Sequence, residues 1–124
     1  MSQLHTKWVS RRERDLWCID FSGYEHDVAG LQREIDAAET VLCNAPDNSL
    51  LVAINLYGTQ ISAPIASFFS RNSHSRAIHK FAIVGISGPR RFWYEKAQHI
   101  TWPIAHRFFD DYEQAKDWLV GESF

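Results

Sequence analysis

Residues 79–91, His-Lys-Phe-Ala-Ile-Val-Gly-Ile-Ser-Gly-Pro-Arg-Arg, constrain the fold more than any other stretch. Four consecutive apolar residues, Phe81 to Val84, pass through Gly85 and Ile86 into Ser87-Gly88-Pro89. A helix-like stretch follows. A strand apolar on both faces must be covered on both, which is the situation of a parallel sheet flanked by helices. The segment therefore reads as a buried strand, a tight turn and a helix, and it points to a small α/β class.

The rest of the chain extends this grammar. His5 to Ser10 and Arg14 to Phe21 read as a β-hairpin around a charged turn at Arg11-Arg12-Glu13. The first arm has the mixed polarity of an edge strand, and Leu16-Trp17-Cys18-Ile19 has the apolar run of a central one. Ser22 with Glu25 three residues on is a capping-box signal for a helix whose inner face is Val28, Leu31, Ile35, Ala38 and Leu42. Leu50 to Leu56 predicts a second buried strand. A helix holding Ile61, Ile65, Phe68 and Phe69 follows, with Pro64 in its first turn and Ser62 as its cap. Arg71 to Arg76 reads as a polar loop. After the helix begun at Pro89, Ile104 to Phe109 predicts a last strand, and Asp110-Asp111 cap a helix facing inward with Tyr112, Ala115, Trp118 and Leu119. The expected order is ββαβαβαβα, a mostly parallel sheet with an N-terminal β-hairpin and helices covering it.

At 124 residues the chain is long enough for one core, so residues 1–124 are expected to form a single domain. No apolar run approaches the roughly 20 residues of a membrane span, and the N-terminus lacks the apolar stretch of a secretory signal, so a cytoplasmic location is expected. Cys18 and Cys43 fit no zinc spacing and are expected as reduced, mostly buried thiols. Net charge is -2, but residues 71–107 carry seven basic and one acidic side chain while residues 15–70 carry one basic and eight acidic. Net acidity and the lack of RNP, KH or helix-turn-helix signatures argue against nucleic acid.

Signals for catalysis are sparse. The six histidines form no HxH, HExxH or HxxxH motif, and there is no nucleophile elbow, Walker loop or dinucleotide fingerprint. No metal, cofactor or catalytic residue is assigned. Binding features are richer. The Ser87-Gly88-Pro89-Arg90-Arg91 turn sets backbone donors and two cations at one strand end, fit for an anion or for plain solvent exposure. Phe92-Trp93-Tyr94 sweeps about 200° of a helix surface, so Phe92 and Tyr94 cannot both be fully buried if Trp93 faces inward. In the loop from Asn55 to Ser62, Thr59 and Ser62 stand where a phosphate would be stabilised by a helix start, and simple capping explains them equally well.

On Cys18-Ile19-Asp20-Phe21-Ser22-Gly23, Phe81 to Gly88, and Phe109 to Leu119, the chain resembles the STAS-like family related to the sporulation anti-sigma-factor antagonists. The order of elements agrees from about residue 5 to 120. The resemblance implies a small non-enzymatic regulatory or binding domain, and related members have been thought to hold apolar ligands. Signalling members of that family carry a phosphorylatable serine in an Asp-Ser-Ser-Gly-like turn before the second helix. This chain has Asn55-Leu56-Tyr57-Gly58-Thr59 there, lacking both the acidic residue and the serine pair. The expected function is protein–protein recognition, with a homodimer as one form of it. The expected binding residues are Tyr57, Thr59, Ser62, Ser87, Gly88, Arg90, Arg91 and Tyr94. The alternative is a binder of an apolar or anionic, lipid-like small molecule, with Arg90 or Arg91 taking an acidic head group.

Overall fold

A computed structural model describes residues 4–24, 26–59, 62–72, 74–86 and 104–121. Five strands, β1 (Lys7–Arg11), β2 (Arg14–Asp20), β3 (Leu50–Asn55), β4 (Ile78–Val84) and β5 (Ala105–Phe109), lie side by side in chain order. The β1–β2 pair is antiparallel and the other three pairs are parallel. Three helices are described: α1 (Val28–Asn44), α2 (Ala63–Asn72) and α3 (Tyr112–Val120). This is the expected mostly parallel α/β sheet with its N-terminal hairpin. The helix predicted from Pro89 to about Ile100 lies outside the described residues.

Alternation along the strands divides the core in two. Trp17, Ile19, Val52, Ile54, Phe81 and Ile83 face α1 and α2, where Leu31, Ile35, Ala38, Leu42, Ile65 and Phe68 meet them. Leu16, Cys18, Leu51, Ala53, Ala82 and Val84 turn to the opposite face and pack under α3, against Ala115, Leu119 and Val120. Covering both faces is what doubly apolar strands require. Among the described residues no helix is long and apolar enough to cross a membrane.

Local chemistry sets the element ends. Arg12 and Glu13 both have positive φ, 51° and 64°, and Arg11 pairs with Arg14, so the hairpin closes through a two-residue left-handed turn. Arg11 thus belongs to β1 rather than to the turn. Its guanidinium reaches Glu113 and Asp117 of α3, tying the hairpin to the far helix. The N-cap of α1 is Asp27, whose carboxylate accepts from the Gly30 N–H at 2.8 Å. The Ser22–Glu25 capping box is therefore corrected: Ser22 donates to Asp20 instead. Val28 becomes the first helical residue and stands 72% exposed, while Leu31, Ile35, Ala38 and Leu42 are buried as expected. Pro64 falls in the first turn of α2, which extends to Asn72, beyond the loop start expected at Arg71. Asp111 caps α3 by accepting from the Glu113 N–H. Cys18 is buried, whereas Cys43 is exposed on α1, because its position lies off the apolar stripe.

Two buried charges lock distant elements. Lys80 on β4 donates to the carbonyls of Trp118 and Gly121 at the end of α3 and lies over the Trp118 ring, 5.1 Å from its centroid. A cation at a helix carboxyl terminus is favoured by the helix dipole. Glu34 of α1, with no exposed surface, accepts from the backbone N–H groups of His5 (2.6 Å) and Thr6 (3.0 Å) and from the Tyr24 hydroxyl (2.5 Å). Burial alone would raise this carboxyl, but the bonds from Thr6, Tyr24 and His5 outweigh it and hold it below the ordinary range.

Candidate functional site

Parallel register brings four strand ends into line. Asp20, Asn55, Val84 and Phe109 are successive partners across β2, β3, β4 and β5, and together they form the carboxyl edge of the sheet. Ligands of open α/β sheets bind at such edges. Pairing persists one step further: the Phe21 N–H donates to Asn55, that of Leu56 to Val84, and that of Gly85 to Phe109. The loops therefore leave from fixed points.

Two side-chain turns shape the exits. Asp20 accepts from the Ser22 N–H at 2.9 Å and from the Ser22 hydroxyl at 2.5 Å. Asn55 Oδ1 accepts from the Tyr57 N–H at 3.0 Å. Short polar side chains that bond the backbone two residues on are a common way to turn a chain without a helix or ladder. Thr6 Oγ1 accepts from the Asp20 N–H, which binds the segment before β1 to the same corner.

Gly85 draws two of these exits together. Its φ is +98°, and a Cβ there would sit 2.6 Å from the Tyr57 nitrogen and 2.9 Å from the Leu56 carbonyl carbon. Only glycine lets the end of β4 lie this close to the Tyr57 turn. The strand that carries the most constraining sequence segment is thus docked onto the other half of the expected site.

Three of the expected binding residues lie along this one turn. Tyr57 is 45% exposed. Thr59 is half-buried, and its hydroxyl is directed at the carbonyls of Tyr57 (3.2 Å) and Phe21 (3.4 Å), so it staples the turn to the end of β2. Ser62 is exposed immediately before α2, where its carbonyl accepts from the Ala66 N–H. Ser87, Gly88, Arg90, Arg91 and Tyr94 lie outside the described residues, as do Phe92, Trp93 and Ile61.

Further residues complete the surface. A shallow groove of about 440 Å³ is lined by Gly23, His26, Asp27, Tyr57 and Gly58. The described residues include four exposed large apolar side chains, and three of them belong to this end of the molecule. Tyr57 is in the turn after β3, and Val28 opens α1 beside Asp27. Leu4 precedes β1, whose amino end runs against the carboxyl end of β2. Sequence reasoning did not assign Leu4 or Gly23 to the site and set Val28 on the inner face of α1, whereas Gly58 falls within the loop it had singled out. The usable signal was Asp27, which as the cap makes Val28 the first helical residue, at the very end of the helix.

The ring of Tyr24 sits 5.3 Å from that of His5, behind the groove. Burial, together with its bond to the Glu34 carboxylate, pushes the Tyr24 phenol up, so it stays a donor. The loop from Ser22 to Asp27 is accordingly anchored by Asp20 at one end, by Glu34 through Tyr24 in its middle, and by the α1 cap at the other.

No family model matches this chain, and no curated protein matches it. Among solved structures, it is similar to the crystal structure of an uncharacterised protein of the DUF3478 family from Shewanella loihica PV-4, described as having a SpoIIAA-like fold. The two share 18% identity and a TM-score of 0.65, over 96% of this chain and 98% of that one. The likeness establishes a SpoIIAA-like, STAS-like fold, in agreement with the resemblance seen in the residues.

Proposed function

We propose that this chain is a non-enzymatic binding domain that recognises a partner protein through the carboxyl edge of its sheet. One observation carries the reading: Leu4, Val28 and Tyr57, each next to an element end at that edge, all expose apolar surface. Burying such side chains against a partner is favourable by about 25 cal/mol per Å² of apolar surface. The backbone is bonded to Asn55 at Tyr57, to Glu34 at His5 beside Leu4, and to Asp27 at the turn of α1 that Val28 opens, so little ordering entropy is lost on association. Regulation by a partner fits such a pre-formed surface better than a loop that must fold on contact.

The turn chemistry refines the proposal. With the Thr59 hydroxyl directed at two backbone carbonyls, Ser62 is the more accessible hydroxyl of the two. Recognition is assigned to shape and apolar contact at Tyr57, not to a phosphorylated Thr59.

A photo-reactive amino acid placed at position 57 in the living host tests this. A discrete adduct with one protein is expected from position 57, and none from Asp36 on the solvent face of α1. Tyr57→Asp in the otherwise unaltered chain should weaken the purified pair about tenfold or more, as for a central aromatic anchor. A cross-linked second copy of this chain would identify the partner as itself. Equal adducts from positions 57 and 36, or none from either, would overturn the reading.

A further inference from the structure

At the other end of the sheet a groove of about 720 Å³ opens between the hairpin turn, the last turns of α1 and the start of β3. Trp8, Val41, Ala45 and Leu50 give it apolar walls, and Glu13 and Asp15 stand on its rim. Trp8 is half-exposed and leans on Trp17, the ring centroids being 4.9 Å apart.

The electrostatics of this groove favour a cation. Trp8 pairs with Trp17, and Asp15 lies two residues before Trp17 on the same strand. Alternation therefore puts Trp8 and Asp15 on one face of the sheet, the α1 face. Arg14 also lines the groove, which so carries two carboxylates against one guanidinium. Among the described residues, neither the Asp15 nor the Glu13 carboxylate has a hydrogen-bond or ion-pair partner. The last turn of α1 bears no basic residue, so the negative end of its dipole faces the groove, softened by the Ala45 N–H on the Val41 carbonyl and the Asn44 amide on that of Thr40. Elsewhere the protein fills its aromatic faces with its own ammonium groups, Lys80 over Trp118 and Lys116 over Tyr112. Trp8 has no such cation among the described residues.

We propose that this groove binds a small organic cation with an apolar body, its ammonium group set against the Trp8 indole and the Asp15 carboxylate. Indole is the strongest of the side-chain π faces for a cation. The apolar walls take the body of the ligand, which excludes a bare metal ion as the preferred occupant. The site is separate from the partner-binding edge, and either can fail without the other.

Benzyltrimethylammonium chloride is the probe, titrated into the ¹⁵N-labelled full chain while amide and indole resonances are followed. Saturable shifts are expected at the Trp8 indole, Asp15 and residues 40–45. Benzyl alcohol and benzenesulfonate at the same concentrations should leave those resonances in place. Asp15→Asn, an exposed and structurally mild change, should weaken the cation about three- to fivefold, and Trp8→Ala should remove saturable binding. Added salt should weaken the parent more than Asp15→Asn. Absence of saturation, equal binding of the neutral probe, or an Asp15→Asn affinity equal to the parent's would each overturn the assignment.

Discussion

Gly85→Ala is expected to destabilise the fold by about 3 kcal/mol or more, the class of effect produced by steric conflict at a special backbone position. Two causes add. At φ +98° any L side chain is strained, and the new Cβ would meet backbone atoms of Leu56 and Tyr57 that have no rotamer through which to withdraw. Gly23→Ala separates these causes. Gly23 has φ +82°, but nothing lies within 4 Å of a Cβ built there, so only the conformational cost remains, about 1–2 kcal/mol. Urea unfolding of the two variants should show the Gly85 midpoint falling well below that of Gly23. Equal losses would mean that the approach of β4 to the Tyr57 turn contributes nothing. Because the displaced atoms belong to Tyr57, Gly85→Ala should also impair partner recognition in whatever fraction remains folded.

The second large effect belongs to Glu34. Glu34→Ala leaves the N–H groups of His5 and Thr6 and the Tyr24 hydroxyl without their acceptor, at a cost of about 4 kcal/mol. Glu34→Gln keeps one acceptor oxygen but turns an NH₂ toward donors, so an intermediate loss is expected. Tyr24→Phe should cost about 1–2 kcal/mol by removing one bond. The pH dependence has a definite sign. The folded carboxyl lies below the unfolded one, so its contribution is complete above the ordinary carboxylate range and is lost as pH falls through that range toward the folded value. Glu39, held down mainly by Arg71 of α2, acts in the same direction. Stability measured between about pH 6 and pH 3 should therefore fall more steeply for the parent than for Glu34→Gln. Parallel curves would show that the Glu34 carboxylate is not the titrating group.

Much of this architecture was readable from pattern alone. Doubly apolar runs at residues 16–19, 50–54 and 81–84 can only be buried strands between helical layers, and the sheet follows from them. Periodicity found α1, yet it misjudged Val28, because a helical face says nothing about whether a sheet lies beneath its first residue. That Asp27 rather than Ser22 caps α1 follows from a contact the pattern does not contain: Asp20 engages Ser22. Lys80 and Glu34 were less visible still. Lys80 is buried because carbonyls 38 and 41 positions away accept from it, and Glu34 because residues 28 and 29 positions earlier donate to it. Glu34 did carry a local signal, since it falls on the apolar stripe between Leu31 and Ala38. On the candidate site, the sequence located the Tyr57 turn through its strand–glycine–helix grammar. It did not reveal that Leu4, from before the first strand, shares the same edge, because antiparallel return of β1 is what carries it there.

The border strand β1 also limits how copies of this chain can assemble. An unpaired strand edge is a template for another strand. If two β1 strands paired antiparallel in full register about Val9, each Lys7 would lie opposite the other copy's Arg11. Arg11 is already paired with Glu113 and Asp117 of its own copy, so that encounter would be between Lys7 and a guanidinium held in an ion-pair cluster. The border of the sheet thus carries charge rather than a bare apolar edge, one of the ways a strand edge is blunted against pairing.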